Sequence, residues 1–416
     1  MSSRERVVAA IRRQPVDYVP CAPLVNPLSR VQRRGKPWYF PWDPPGDGTE
    51  YWVTVLGTDK VVGDWWLGRV FPEDGVRTRV WEQDGRLHKA YDTPSGVLHA
   101  AVRYDELWPF GQDIPFFHDH VGHHTENWLQ TEADLACLEH ILLPPRTAEQ
   151  VEQVRTAFWV RKAVADRLHV ATLATIGSGL TTALWMFGPA ELALLTVDDP
   201  GLVERYLELE HRWSLRMIEI LLDCGVDIIQ RSGFYETCDY YSPAMLERFI
   251  GKTLRKEIEV THQGGRPFSY VLYSGLAPML DYLAKLDFDC LSSLDIAFDD
   301  IDLGAVKAKL GDRKSFWTGP SNTFHMYADD PEVVREAVRK VFAVFGKTGL
   351  IISACSSVHP MMPWGNTVAM LDEWRRLRSQ TVEAERLHGP NMKGHGEGQE
   401  DWHDKGGRGG TCGRAT

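Results

Sequence analysis

The chain has 416 residues, 43% hydrophobic and 25% charged, which is ordinary for a globular protein with a large core. Its net charge of −11 speaks against nucleic acid as the main partner, because phosphate binding needs clustered Lys and Arg. No uncharged apolar run approaches the ~18 residues of a membrane span, and the charged start Met1-Ser2-Ser3-Arg4-Glu5-Arg6 lacks a signal-peptide apolar region. Seven cysteines, an odd number without a CxxC pair, fit a reduced, cytoplasmic compartment.

Along the chain, residues 3–13 predict a short amphipathic helix ended by Pro15, and 18–25 a first strand. Residues 26–50 are rich in Pro, Gly and aromatics and read as a loop, with a short basic run over 30–36. Residues 60–105 alternate in short runs broken by Asp84-Gly85 and Pro94-Ser95-Gly96, which predicts a small antiparallel β insert. The four histidines 118, 120, 123 and 124 read as a polar loop away from strand ends rather than a metal site.

From 147 onward the rhythm changes. Helical patterns over 147–167, 189–197, 201–223, 243–263, 276–286, 302–310, 331–345 and 366–382 alternate with short apolar runs at 169–175, 226–230, 268–272, 290–294, 314–318 and 350–353. Near-continuous apolar strands between helices mean a parallel sheet covered on both faces. About seven βα units favour a (β/α)8 TIM-type barrel over 1–386, with 60–105 as its insert. Residues 387–416, almost devoid of apolar side chains, predict a disordered tail.

In such barrels the chemistry sits just past the strands, and titratable residues cluster there. Glu236 among Phe234, Tyr235 and Tyr241 has the surroundings of an acid/base carboxyl or, equally, of a loop ion pair. Cys355 is a candidate ligand or nucleophile, and also a plausible packed thiol. His359 and Asp295 complete the catalytic candidates. Asn26, Arg30, Arg231, Tyr235, Tyr241, Tyr270, Asp299 and Asn366 are the substrate-binding candidates, although Asp295 and Asp299 also suit capping of the helix near 302 and Asn366 capping of the last helix. The four catalytic candidates lie just past strand ends and are expected to converge on one cavity.

The opening segment 4–20, Leu56-Gly57-Thr58-Asp59, Thr93-Pro94-Ser95-Gly96, Tyr241-Ser242-Pro243, His262-Gln263-Gly264 and Met361-Met362-Pro363-Trp364-Gly365-Asn366, in this order, resemble the uroporphyrinogen decarboxylase superfamily over about residues 3–380. The insert and the 93–96 turn are similar to its methyltransferase-like branch, related to corrinoid-linked methyltransferases. That resemblance implies a zinc site with Cys355 as one ligand. The branch's His-x-Cys pair, however, falls here on Leu272 and Ser274, so a zinc site would need Glu236 or His359 instead. It also implies methyl transfer from a small methylated substrate to a thiol or to a corrinoid carried by a partner protein, since the chain has no Asp-x-His-x-x-Gly stretch of its own. Metal-free decarboxylation of a small acid or a uroporphyrinogen-like tetrapyrrole, with Arg30 or Arg231 for its carboxylate, stands beside it. A catalytically silent binding subunit is the third reading; a homodimer is one open assembly, and the sequence leaves the oligomeric state undetermined.

Overall fold

The computed structural model describes residues 1–26, 38–42, 48–298 and 301–379. Arg30, Asp299 and the 387–416 tail lie outside the described residues. Eleven strands are described: β1 Val62–Trp65, β2 Arg77–Gln83, β3 Arg86–Thr93, β4 Gly96–Arg103, β5 His124–Glu126, β6 Thr172–Thr175, β7 Ile228–Ser232, β8 Phe268–Val271, β9 Cys290–Asp295, β10 Ser315–Gly319 and β11 Leu350–Ile352.

Seven of them form one parallel sheet in the order β1-β6-β7-β8-β9-β10-β11. The two edges are bridged by the segment 18–26. The amide of Ala22 donates to Ile352 O and that of Asn26 to Val358 O on one side, while Asp59 N donates to Cys21 O on the other. The sheet is thereby closed as a TIM-type barrel, with 18–26 in the place of an eighth strand. Helices alternate with the strands from Ala148–Leu168 to Trp364–Leu377, as their apolar periodicity predicts.

The floor of the barrel is solid. Helix Ser3–Ile11, started by a Ser2–Glu5 capping box, buries Val7, Ala10 and Ile11. These side chains share a core cluster with Leu173, Ile228, Trp317 and Ile351 from the strands. With that end filled, the opening among the described residues is at the C-terminal ends of the strands, which is the usual face for chemistry in this architecture.

The boundary of the insert differs from the sequence reading. Val62–Trp65 is a barrel strand, paired parallel with β6 from Val62–Thr172 to Trp65–Thr175. The antiparallel sheet is β2-β3-β4-β5 and reaches Glu126. A four-residue strand has too little pattern to separate an edge of a barrel from a hairpin arm; its partner, 110 residues away, decides. Among the described residues no single helix is long and apolar enough to cross a membrane.

Candidate active site at the barrel mouth

A cavity of about 710 Å³ opens at the carboxyl ends of the strands. Its wall takes Asp64 and Trp65 from β1, Thr175 from β6, Gln230 from β7 and Ser293 from β9. Tyr273, Asn322 and His359 come from the loops after β8, β10 and β11. The connection between β4 and β5 lays Phe110, Phe117, His118 and Asp119 across it.

His359, Tyr273 and Asp64 are among the titratable groups on this wall. His359 has Nε2 3.0 Å from Ser357 Oγ, and burial holds its pKa below the ordinary histidine range. Tyr273 is kept protonated by burial, which pushes its phenol well up, partly offset by a hydrogen bond with Ser356. Asp64 accepts from Arg161 Nη2 at 3.3 Å through Oδ1, and its Oδ2, buried and 3.7 Å from Arg69 Nη2, accepts no hydrogen bond among the described residues.

His118, set aside in the sequence as a loop residue, is part of the wall. The backbone N–H of His120 donates to His118 Nδ1 at 3.1 Å, so the ring proton sits on Nε2, 2.9 Å from His124 Nε2. His124 then keeps its own proton on Nδ1, 3.2 Å from Glu126 O. Both rings are neutral in this arrangement, and burial depresses the His118 pKa to about 3. The pair braces the lid; it leaves no lone pair for a ligand.

Of the residues singled out in the sequence, Asn26, Tyr235 and His359 line the cavity. The expected convergence of Glu236, Cys355 and Asp295 with His359 is not observed. Gln230 faces the cavity, so its neighbour Arg231 points outward into the helical layer by the period-two alternation of a strand. There it is 1% exposed and draws Glu236, 0% exposed, into an ion pair behind the wall. Tyr270 points the same way and donates to Glu236 Oε2 at 2.7 Å. Tyr241 is buried in the core. Asp295 accepts from Ser321 Oγ at 2.8 Å and from Ala297 N, and so shapes two loops. Asn366 Nδ2 donates to Met326 O and Ala328 O, pinning a loop instead of capping its helix.

Cys355 is buried, and its Sγ donates to Ser293 O at 2.6 Å. Burial pushes the thiol pKa well up, the reverse of what a zinc thiolate needs. Ser274 Oγ, at one of the expected ligand positions, is instead held by Asp239 Oδ2 at 2.5 Å. Among the described residues no three His, Cys, Asp or Glu side chains are placed to hold a metal ion, so the donor set does not fit the zinc site that the resemblance implies.

Ser293 itself has φ of 66°, a left-handed conformation that costs a non-glycine residue about 1–3 kcal/mol. It lies where the β9–β10 register shifts. The distortion turns the serine to the cavity and its carbonyl to Cys355. The sequence signals for Asp64, Trp65 and Ser293 were weak. Asp64 and Trp65 end a short strand read as insert, and a bulge leaves no mark in an apolar run.

The family model described as Uroporphyrinogen decarboxylase (URO-D) matches residues 106–377. No curated protein matches the sequence. Among solved structures, a methyltransferase from Methanosarcina mazei superposes with a TM-score of 0.55 at 14% identity, covering 90% of this chain and 99% of its own. A B12-independent methionine synthase from Shewanella sp. W3-18-1 has a TM-score of 0.45 at 12% identity, covering 86% and 98%. At such identity the first likeness concerns the fold alone, and the second carries no argument.

Proposed function

This chain belongs to the uroporphyrinogen decarboxylase family, and from that premise we propose that it is an enzyme transferring a methyl group from a small, largely neutral methylated substrate, without zinc, in the barrel-mouth cavity. The acceptor is a corrinoid carried by a partner protein or a thiol. One observation favours this reading over decarboxylation of a polyacid. Among the described lining residues Lys60 is the only Lys or Arg, and the rest of the wall mixes aromatic and apolar side chains with neutral polar ones and the carboxylates of Asp64 and Asp119. Each carboxylate desolvated against the described part of the wall needs a cation, and that part supplies Lys60.

The chain's own contribution is binding, exclusion of water and movement of a proton. The bond from the methyl carbon to its leaving atom breaks as the acceptor's electron pair attacks, and the leaving atom takes a proton. That proton comes from the acceptor thiol as it is alkylated or, with a corrinoid acceptor, from solvent, and the neutral ring of His359 and the carboxylate of Asp64 are the wall groups placed to relay it. A second reading rests on Lys60 alone: a small mono-acid paired with its ammonium and losing CO2.

The test uses the full chain after exhaustive treatment with a chelator. Methyl transfer from simple methylated donors to free cob(I)alamin and to a thiol is followed beside CO2 release from small mono-acids. The proposal expects methyl transfer that survives chelation and falls about 10²–10⁴-fold in His359→Gln or Asp64→Asn. Activity restored only by added zinc, or unchanged in both variants, would refute it; CO2 release alone would favour the second reading, and neither activity a silent binding subunit.

A further inference from the structure

We propose that the substrate held in this cavity carries a flat aromatic ring with an oxygen at its edge, stacked on Trp65; the inference rests on the reading of the cavity as the substrate site. Trp65 is the last residue of β1 and lines the cavity, yet it is 43% exposed. Its ring lies nearly parallel to Phe234, with centroids 6.0 Å apart and an interplanar angle of 13°. Phe234 lies parallel to Tyr273 in turn, at 5.0 Å and 9°. The three rings come from β1 and from the loops after β7 and β8, so no local sequence pattern aligns them.

A single exposed indole is unremarkable on a protein surface. A column of three parallel rings on the wall of a cavity is different, because its end ring presents a π-face with no aromatic neighbour on the far side among the described residues. A flat ring laid there extends the column and removes exposed apolar surface from water. The loop that carries Phe234 is held from behind by Arg231 and Glu236, which fixes the platform before a ligand arrives.

A second feature of the same wall specifies the edge of the ligand. Trp185, 4% exposed, has its indole Nε1–H buried without an acceptor among the described residues. A buried donor left unpaired is costly, and an oxygen on the bound ring removes that cost once the wall gives way enough to admit it, since Nε1 itself has almost no exposed surface. The described wall carries Asp64, Asp119 and Lys60, a nearly balanced charge that argues for a neutral ring. Asp64 is already met by Arg161, and Lys60 is the one cation present among the described lining residues.

The experiment compares benzyl alcohol with cyclohexylmethanol, equal in polar group and close in size, by saturation-transfer NMR and calorimetry on the full chain. Benzyl alcohol is expected to bind about ten-fold tighter, the worth of one good ring stack. The preference should vanish in Trp65→Leu and shrink in Phe234→Leu, with thermal midpoints kept within about 2 °C of the parent. Trp185→Phe should weaken benzyl alcohol while leaving toluene favoured over methylcyclohexane. Equal binding of the two alcohols, no binding of either, a preference that survives Trp65→Leu, or displacement by tetramethylammonium, which would mark the column as a cation site, each overturns the inference. None of these outcomes touches the methyl-transfer reading, which is judged by turnover; loss of that turnover leaves the ring preference to stand or fall by binding.

Discussion

Arg231 grips both carboxylate oxygens of Glu236, Nε to Oε2 at 3.0 Å and Nη2 to Oε1 at 2.7 Å, in a place where neither side chain meets water. Its remaining nitrogen, Nη1, donates to Glu257 Oε2 at 2.7 Å, and Glu257 is joined to His211 Nδ1 at 3.1 Å. Glu236 Oε1 also accepts the amide of Leu180, the first residue of the helix that brings Trp185 to the cavity. One buried guanidinium thus ties together two loops at the barrel mouth. Breaking a buried pair by removing one partner strands the other charge. Arg231→Met should therefore lower the unfolding free energy by about 3–5 kcal/mol in denaturant titration. A loss below about 1 kcal/mol would show that the carboxylates find other partners.

Gly179 is where the chain passes closest to that pair. It has φ of 43°, and a Cβ there would sit 2.0 Å from Arg231 Nη2 and 2.5 Å from Glu236 Oε1. Gly179→Ala should destabilise the fold by more than the roughly 1–3 kcal/mol of the backbone conformation alone, since the fork must also part. Equal thermal midpoints for the variant and the parent would refute the close approach.

His359 carries a sign for pH. Burial lowers its folded pKa below the unfolded value of about 6.5, so below that value the unfolded chain binds the proton more readily. Its contribution to stability is intact above pH ~6.5 and declines as pH falls toward the folded pKa. Turnover that needs the neutral ring should likewise stay level through neutrality and fall only on the acid side. The acid limb of the stability curve should be shallower in His359→Gln; an unchanged limb would place the titration elsewhere.

Lys314 supplies the opposite end of the pH scale. It is 2% exposed, its Nζ donates to Leu286 O and Phe288 O, and burial pushes its pKa down to about 8. Between about 8 and the ordinary 10.5 the unfolded chain holds more protons than the folded one, so stability should rise with pH across that window. The rise should disappear in Lys314→Met, although that variant also leaves two carbonyls unpaired and starts from a lower midpoint.

Cys355 should behave as packing. Cys355→Ser keeps a donor for Ser293 O, so its thermal midpoint should change by a few degrees at most and the bound zinc of the purified chain should be the same for both proteins. In the native protein this thiol should react with a disulfide reagent far more slowly than an exposed cysteine. Stoichiometric zinc lost on substitution would reverse the assignment.

The alternation of helical stripes with short apolar runs from 147 to 377 is enough to require a parallel sheet sheathed by helices, because only that layering buries strands apolar on both faces. The barrel, the helix at 3–11 and the presence of antiparallel hairpins follow from local periodicity and turn residues, and Tyr235 and His359 follow from lying just past strand ends. What the sequence leaves open is which way each side chain faces. Arg231, Glu236 and Tyr270 carry the same polar signature as wall residues, yet one step of strand register sends Arg231 and Tyr270 behind the wall, where Arg231 draws Glu236 after it, while Gln230 faces in. Asp64 and Trp65 depend on the pairing of β1 with a strand 110 residues away, and the column Trp65–Phe234–Tyr273 exists only because three distant segments end at the same height. Periodicity is a local property of the chain; the phase of a strand and the company of its last residue are set by closure of the ring, and only the tertiary structure decides them.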